Sequence, residues 1–317
     1  MHSPHFQTLF RALAALSMLG LAGCDLLKAS APSQSGTPNL SEPAPAIPPS
    51  AASEALRAYY ARVQTGLLSQ GLLRTDGGTR DAPFSARMLA QNFIRIAAFD
   101  EYASSATGPV QSETASTIRR WNTPVRIGLR FGASVTPAMR AADTARVAAL
   151  VARLARATRH PIRIDNANPN FIVNIVNEDE RLSIGPAASA ALTGLTAPEL
   201  AGITNMPRST YCLVYAQSDA DHSTYTRAFA VIRAEHPDLL RLSCLHEEIA
   251  QGLGLANDSP QARPSIFNDN EEFALLTPQD ELMLRILYDA RLSPGMTAEQ
   301  ARPIAQTLAT QFTGGES

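Results

Sequence analysis

The hydrophobic pattern changes period along the middle of the chain, and the change marks out the elements. Val125, Ile127, Leu129 and Phe131 alternate with other residues, which predicts a strand. Thr136-Pro137 then offers a side-chain cap followed by a proline in the first helical turn. The Ala- and Arg-rich helix it opens runs to about Thr158, with Val147, Leu150, Val151 and Leu154 on one side. Residues 160–164 and 171–176 read as two more strands, and 211–216 with 225–232 as a strand pair joined by a polar turn. Between these pairs, residues 181–205 have weak periodicity and read as loops with a short helix around 187–192. A helix over roughly 238–253 follows, then a loop, then a helix opening at Thr277-Pro278 and ending at Tyr288. Upstream, residues 54–69 form a helix with Leu56, Tyr59, Tyr60, Val63 and Leu67 on one side. Thr75-Asp76-Gly77-Gly78 is turn chemistry, and Ser85 caps a second helix carrying Leu89, Phe93 and Ile96 inward. These two helices read as a small appendage over 53–120, ahead of a main α/β domain over 121–317.

The N-terminus has a different grammar. Arg11 is the only charge before an apolar run from Ala12 to Ala22, shorter than the roughly 20 residues a membrane span needs. The run ends in Leu21-Ala22-Gly23-Cys24, which resembles the lipobox of bacterial lipoproteins. On that reading residues 1–23 are a signal peptide and the Cys24 thiol carries diacylglycerol, with palmitate-type chains making the anchor stable. A secretory signal with a chance cysteine is the other reading. Asp25 resembles an inner-membrane retention signal, so the expected place is the cell envelope: lipid-anchored, facing the periplasm, at the inner membrane. Residues 24–52 contain Pro32, Pro38, Pro43, Pro45, Pro48 and Pro49 and resist helix and sheet alike, which predicts a semi-extended tether.

Composition then narrows the partners. The net charge of −2 gives nucleic acid nothing to bind, and Lys28 is the sole lysine among many arginines. Beyond Cys24, only Cys212 and Cys244 remain. An even pair in an oxidising compartment reads as one disulfide; two buried thiols are the alternative.

Candidate chemistry sits on the helix near residue 245. Leu245-His246-Glu247-Glu248-Ile249-Ala250-Gln251-Gly252-Leu253-Gly254-Leu255-Ala256-Asn257 resembles the zinc-binding helix of metzincin-type peptidases, H-E-x-x-H-x-x-G-x-x-H, with every imidazole replaced. Glu247, Gln251 and Asn257 take the ligand positions, Glu248 that of the catalytic glutamate, and Gly254 that of the glycine. The element order agrees with the resemblance: strand, long helix, strands, motif helix, loop, final helix. Ser265-Ile266-Phe267 stands where the Met-turn would lie, and Leu276-Thr277-Pro278-Gln279-Asp280 with Ile286-Leu287-Tyr288 resembles the end of a matrixin domain. The implied fold is a metzincin-like (zincin-like) mixed sheet with an active-site-type helix and a C-terminal helix.

A closer resemblance covers most of the folded part. Gly71-Leu72-Leu73-Arg74-Thr75-Asp76, residues 234–241, residues 244–258, Ser265-Ile266-Phe267-Asn268-Asp269 and Leu287-Tyr288-Asp289 resemble an uncharacterised bacterial lipoprotein family, domain of unknown function 2927 (DUF 2927). It implies kinship with metallopeptidases and no established activity.

On a helix, Leu242, Leu245, Ile249 and Leu253 share one face, while Glu247, Glu248 and Gln251 fall opposite. That polar face is open to three readings: a solvated surface, a degenerate cleft for peptide or glycan, or a divergent metal site. Zinc prefers imidazole and thiolate, whereas one carboxylate and two amides suit harder ions such as calcium. No cofactor is therefore expected, and zinc or calcium are the ions in question if one binds. The leading expectation is a tethered, non-catalytic protein binding or assembling with an envelope protein or glycan. Its alternative is a metal-dependent peptidase with Glu248 as general base and Glu247, Gln251 and Asn257 as ligands. His246 has Ala250 four residues on instead of a second histidine, and projects to the apolar side as a core residue. The acidic cluster of Asp258 and residues 268–272 lacks calcium-loop spacing, and no G-x-S-x-G elbow or phosphate loop occurs.

Overall fold

Each alternating run pairs into one sheet, and its apolar side chains sort by face. A computed structural model describes residues 48–105, 108–219, 223–268 and 270–315, with backbone alone for 101–113. The signal segment, Cys24, Asp25, nearly all of the tether, His222 and Asp269 lie outside the described residues. The chain opens with α1 (Ala51–Ser69) and α2 (Ala86–Ala97), then the hairpin β1 (Phe99–Ser105) and β2 (Gly108–Ala115). Next come β3 (Arg120–Trp121), β4 (Val125–Phe131), α3 (Pro137–Thr158), β5 (Ile162–Ile164) and β6 (Phe171–Val176). Three short helices follow, α4 (Glu178–Leu182), α5 (Gly185–Ala191) and α6 (Ala197–Thr204), then β7 (Cys212–Ser218) and β8 (Thr224–Arg233). The described chain closes with α7 (Asp238–Gln251), α8 (Pro278–Leu287) and α9 (Ala298–Phe312).

The main sheet runs β3-β8-β6-β4-β5, parallel throughout, with β7 antiparallel against the other side of β8. The fold class is thus mixed α/β with a parallel-strand sheet. Successive strand residues point to opposite faces, so Ala228, Ala230 and Ile232 enter the principal core while Phe229 and Val231 enter a second one. The principal core also takes Val125, Ile127 and Leu129 of β4, Phe171, Val173 and Ile175 of β6, and the inner faces of α3, α7, α8 and α9. Helices α5 and α6 cover the second face through Ala188, Ala191 and Ile203.

The sequence-predicted caps form. Ser85 accepts from Met88 N at the start of α2, Thr136 from Met139 N at α3, and Thr277 makes a reciprocal box with Asp280 at α8. Helix α2 sends Leu89, Phe93 and Ile96 into the principal core, and α1 lays Tyr60 against Leu73, Leu240 and Ala274. Residues 181–205 are more helical than their pattern predicts. The hairpin, β3 and α9 have no counterpart in the sequence reading. No described helix is long and apolar enough to cross a membrane.

Cys212 and Cys244 form a disulfide across 32 residues, joining edge strand β7 to the motif helix α7. Closing a loop of that length stabilises by about 3–4 kcal/mol in the chain-entropy account. Cys212→Ala with Cys244→Ala is expected to lower the urea unfolding free energy by about 3 kcal/mol. A loss under about 1 kcal/mol would mean that packing alone holds β7 to α7.

Candidate functional site

Helix α7 is held at both ends by buried polar contacts. In its first turn Arg241, itself buried, donates to Asp143 Oδ2 at 2.8 Å, His236 O at 2.7 Å and Asp238 Oδ1 at 2.6 Å. At the far end Trp121 Nε1 donates to Gly252 O at 2.8 Å and the Tyr288 hydroxyl to Leu253 O at 3.0 Å. Gly252 is obligatory by contact: a Cβ there would stand 2.4 Å from the Phe171 ring. Leu245, Ile249 and Leu253 are in the core as their spacing predicts, and Leu242 is half-buried.

The opposite face departs from expectation. Glu247 and Gln251 are half-buried, but Glu248 is only 3% exposed. An amphipathic helix has one wet face only where a single neighbour packs on it; α7 is enclosed on more than one side. Gln251 Nε2 reaches Asp258 Oδ1 at 3.5 Å, the outer limit of a hydrogen bond.

Asn257, the third would-be ligand, is 1% exposed and committed elsewhere. Its Nδ2 donates to Arg95 O at 2.9 Å and its backbone N to Ile96 O at 3.0 Å. Both carbonyls belong to the last turn of α2, where no intrahelical partner is available. Asn257 thus caps a helix far upstream in the chain.

The described residues contain no group of three or more His, Cys, Asp or Glu side chains placed to hold a metal ion. Of the three ligand positions only Glu247 offers a carboxylate, while Gln251 and Asn257 offer neutral amide oxygens, and Asn257 is held in place by its Nδ2 bond to Arg95 O. Such a set does not fit zinc, which takes strong nitrogen, sulfur or carboxylate donors in tetrahedral array. Calcium requires six to eight oxygens, which these residues do not supply. No hydrolytic step through a metal follows from this geometry.

His246 is the core histidine its position predicts. Its Nδ1 accepts from Leu276 N at 3.2 Å, and burial pushes its pKa down to about 3, with Arg153 acting in the same sense. The folded state keeps this ring neutral where the unfolded chain would protonate it, so stability is full above the unfolded value near 6.5 and drains as pH falls toward 3. His236, fully enclosed between Tyr60 and Tyr211, is also shifted down by burial. Asp280 works oppositely: burial pushes it up to about 6, so its contribution is lost as pH rises through that value. His246→Gln retains an acceptor for Leu276 N and removes the titration. Between pH 7 and 4.5 the variant is expected to lose about 2 kcal/mol less than the parent in urea melts. Equal losses would show that His246 takes up its proton as readily in the folded chain as in the unfolded one.

Residues 265–267, expected from sequence at a Met-turn position, form a polar knot. Ser265 Oγ donates to Asp280 Oδ1 at 2.5 Å, Ile266 N to Asp280 Oδ2 at 3.1 Å, and Phe267 is fully buried. The Thr277-x-x-Asp280 box could have flagged the carboxylate; its reach to Ser265 could not be read locally. In the acidic cluster, Glu272 pairs with Arg263 at 2.6 Å and Arg74 at 3.0 Å, and Asn268 is buried against Ala262 O. These residues hold loops together.

The family model described as "Protein of unknown function (DUF2927)" matches residues 86–307, from the first residue of α2 into α9. No curated protein and no solved structure matches the chain.

Proposed function

Since the chain belongs to the DUF2927 family of unknown function, we propose that it is a lipid-anchored envelope protein whose metzincin-like domain is non-catalytic and serves binding or assembly. The observation that carries this reading is Asn257. The residue at the third ligand position is buried, and its side-chain NH2 and backbone N–H both donate to the end of α2. A position once suited to a metal thus serves the packing of a neighbouring helix.

The metzincin kinship is supported by the surviving spacing Glu247, Glu248, Gln251, Gly254 and Asn257, and by the order β4, α3, β5 and β6, β7 and β8, α7, loop, α8. Kinship of frame without the ligand chemistry is what a binding protein derived from a peptidase would retain. The anchor reading is supported by Arg11, the apolar run and Leu21-Ala22-Gly23-Cys24, with Asp25 favouring the inner membrane. The partner class is an envelope protein or glycan on the periplasmic side.

The test is metal content. The chain from residue 46, which packs as one unit, is dialysed against metal-free buffer beside its Gln251→Ala variant. Neither is expected to retain stoichiometric zinc or calcium. About one ion per chain, lost in the variant, would overturn the reading and restore the hydrolytic one.

A further inference from the structure

We propose that a groove between the C-terminal turn of α3 and helix α8 binds phosphate-bearing anions through Arg156, Arg159 and Arg285. The groove has a volume of about 350 Å³, and an adjoining cavity of about 280 Å³ shares Arg159 and Arg285 as walls. That space accepts a phosphate with a small organic group attached.

The charge balance favours an anion. None of the three arginines makes an ion pair with a described carboxylate, although carboxylates line both spaces. Glu281 is taken by Arg153 at 2.6 Å, and Asp289 by Arg291 at 2.8 Å. Two neutralised pairs and three unneutralised guanidinium groups leave the groove positive. Pro278 brings the first turn of α8 to the wall, where Asp280 and Glu281 offset the positive end of the helix, so the arginines alone carry the positive charge. The carbonyl end of α3 opposes the arginines in part, but a half charge does not cancel three cations.

Orientation is also provided for. The Arg285 guanidinium lies 4.0 Å above the Phe312 ring. Stacking fixes the plane of the group and leaves its edge N–H donors for a bidentate contact with phosphate oxygens. Arg159 occupies the left-handed position that ends α3, with φ 56°, where glycine is the usual residue. The chain thus places a guanidinium where a side chain is conformationally disfavoured.

The groove opens away from where the chain enters the fold. Ser50 N is held by Asp179 just beyond the C-terminal end of β6, whereas Arg159 precedes the start of β5. Strands β4, β5 and β6 are parallel, so the two points stand at opposite ends of the strands. The inference is independent of the metal question and of acylation.

The full chain in neutral detergent at low salt is titrated calorimetrically with inorganic phosphate, dihexanoyl phosphatidylglycerol and dihexanoyl phosphatidylcholine. Saturable binding of phosphate or phosphatidylglycerol is expected, weakened about tenfold or more in Arg159→Gln/Arg285→Gln with its melting temperature unchanged. Tighter binding of phosphatidylglycerol would identify a headgroup as the source, and binding of phosphate alone a free anion. Arg62→Gln/Arg302→Gln, exposed arginines elsewhere, should bind as the parent does. Binding no stronger than that of phosphatidylcholine, or equal in parent and groove variant, or lost equally in the control pair, would overturn the assignment.

Discussion

Glu178→Ala is expected to lower the unfolding free energy by about 3–5 kcal/mol, because it strands two buried guanidinium groups at once. Arg181 and Arg233 are 2% and 1% exposed, and both donate to Glu178, at 2.6 Å and 2.7 Å. Burial alone would raise the Glu178 carboxyl; the Arg181 and Arg233 guanidinium groups outweigh it and hold the pKa below the usual range. The remaining donors staple the end of α6 and the chain just after it. Arg181 reaches Ile203 O and Thr204 O, and Arg233 reaches Met206 O at 2.8 Å and Pro207 O at 3.1 Å. Removing the carboxylate leaves these cations desolvated without a counter-charge, which costs more than the pair itself contributes. Glu178→Gln keeps the shape and some acceptor capacity, so its loss should be smaller, about 1–3 kcal/mol. Urea melts of the two variants read the difference. A loss under about 1 kcal/mol for the alanine variant would show that water reaches both arginines.

The same network explains why part of the fold could not be read from sequence. Strands β4, β6, β7 and β8 and helices α1, α2, α3, α7 and α8 rest on apolar periodicity and local caps, both of which the chain displays openly. Residues 178–210 instead depend on arginines whose partners are backbone carbonyls more than 20 positions away. Nothing local in Arg181 or Arg233 tells that they will be buried. The hairpin β1–β2 mixes Ser, Thr, Gly and Ala with Asp, Glu and Gln and has few large apolar residues, without the alternation that marks a half-buried strand. Helix α9 carries Pro303 in its interior, a residue that normally argues against a helix. At the candidate site the spacing was legible and the environment was not. Glu248 falls on the polar side of a helical wheel but is buried, because a wheel describes one helix and not the number of its neighbours. The role of Asn257 depends on Arg95, 162 residues earlier.

Gly254→Ala is the second large effect expected, about 3 kcal/mol or more, and it bears on what the glycine turn after α7 holds in place. Gly254 has φ +123°, a region closed to residues with a side chain. A Cβ there would lie 2.3 Å from Arg119 O and 2.9 Å from Leu287 Cδ2. Backbone strain and forced contact each cost about 1–3 kcal/mol. The obstacle cannot easily give way: Ile118 N is bonded to Met296 O at 2.8 Å, and Arg120 donates to Leu287 O at 2.8 Å and Leu292 O at 2.9 Å. In a peptidase the glycine turn would carry the third ligand to the metal; here it carries Asn257 to the open carbonyls of α2. The damage should therefore appear at α2. Hydrogen exchange of the α2 backbone should quicken in Gly254→Ala and, to a lesser degree, in Asn257→Ala, whose cost is about 1 kcal/mol for the lost bond. Gly254→Ala with stability and α2 exchange unchanged would sink this account of the turn. With both altered, the glycine is kept for the fold, and the spacing from α7 to Asn257 is set by helix packing.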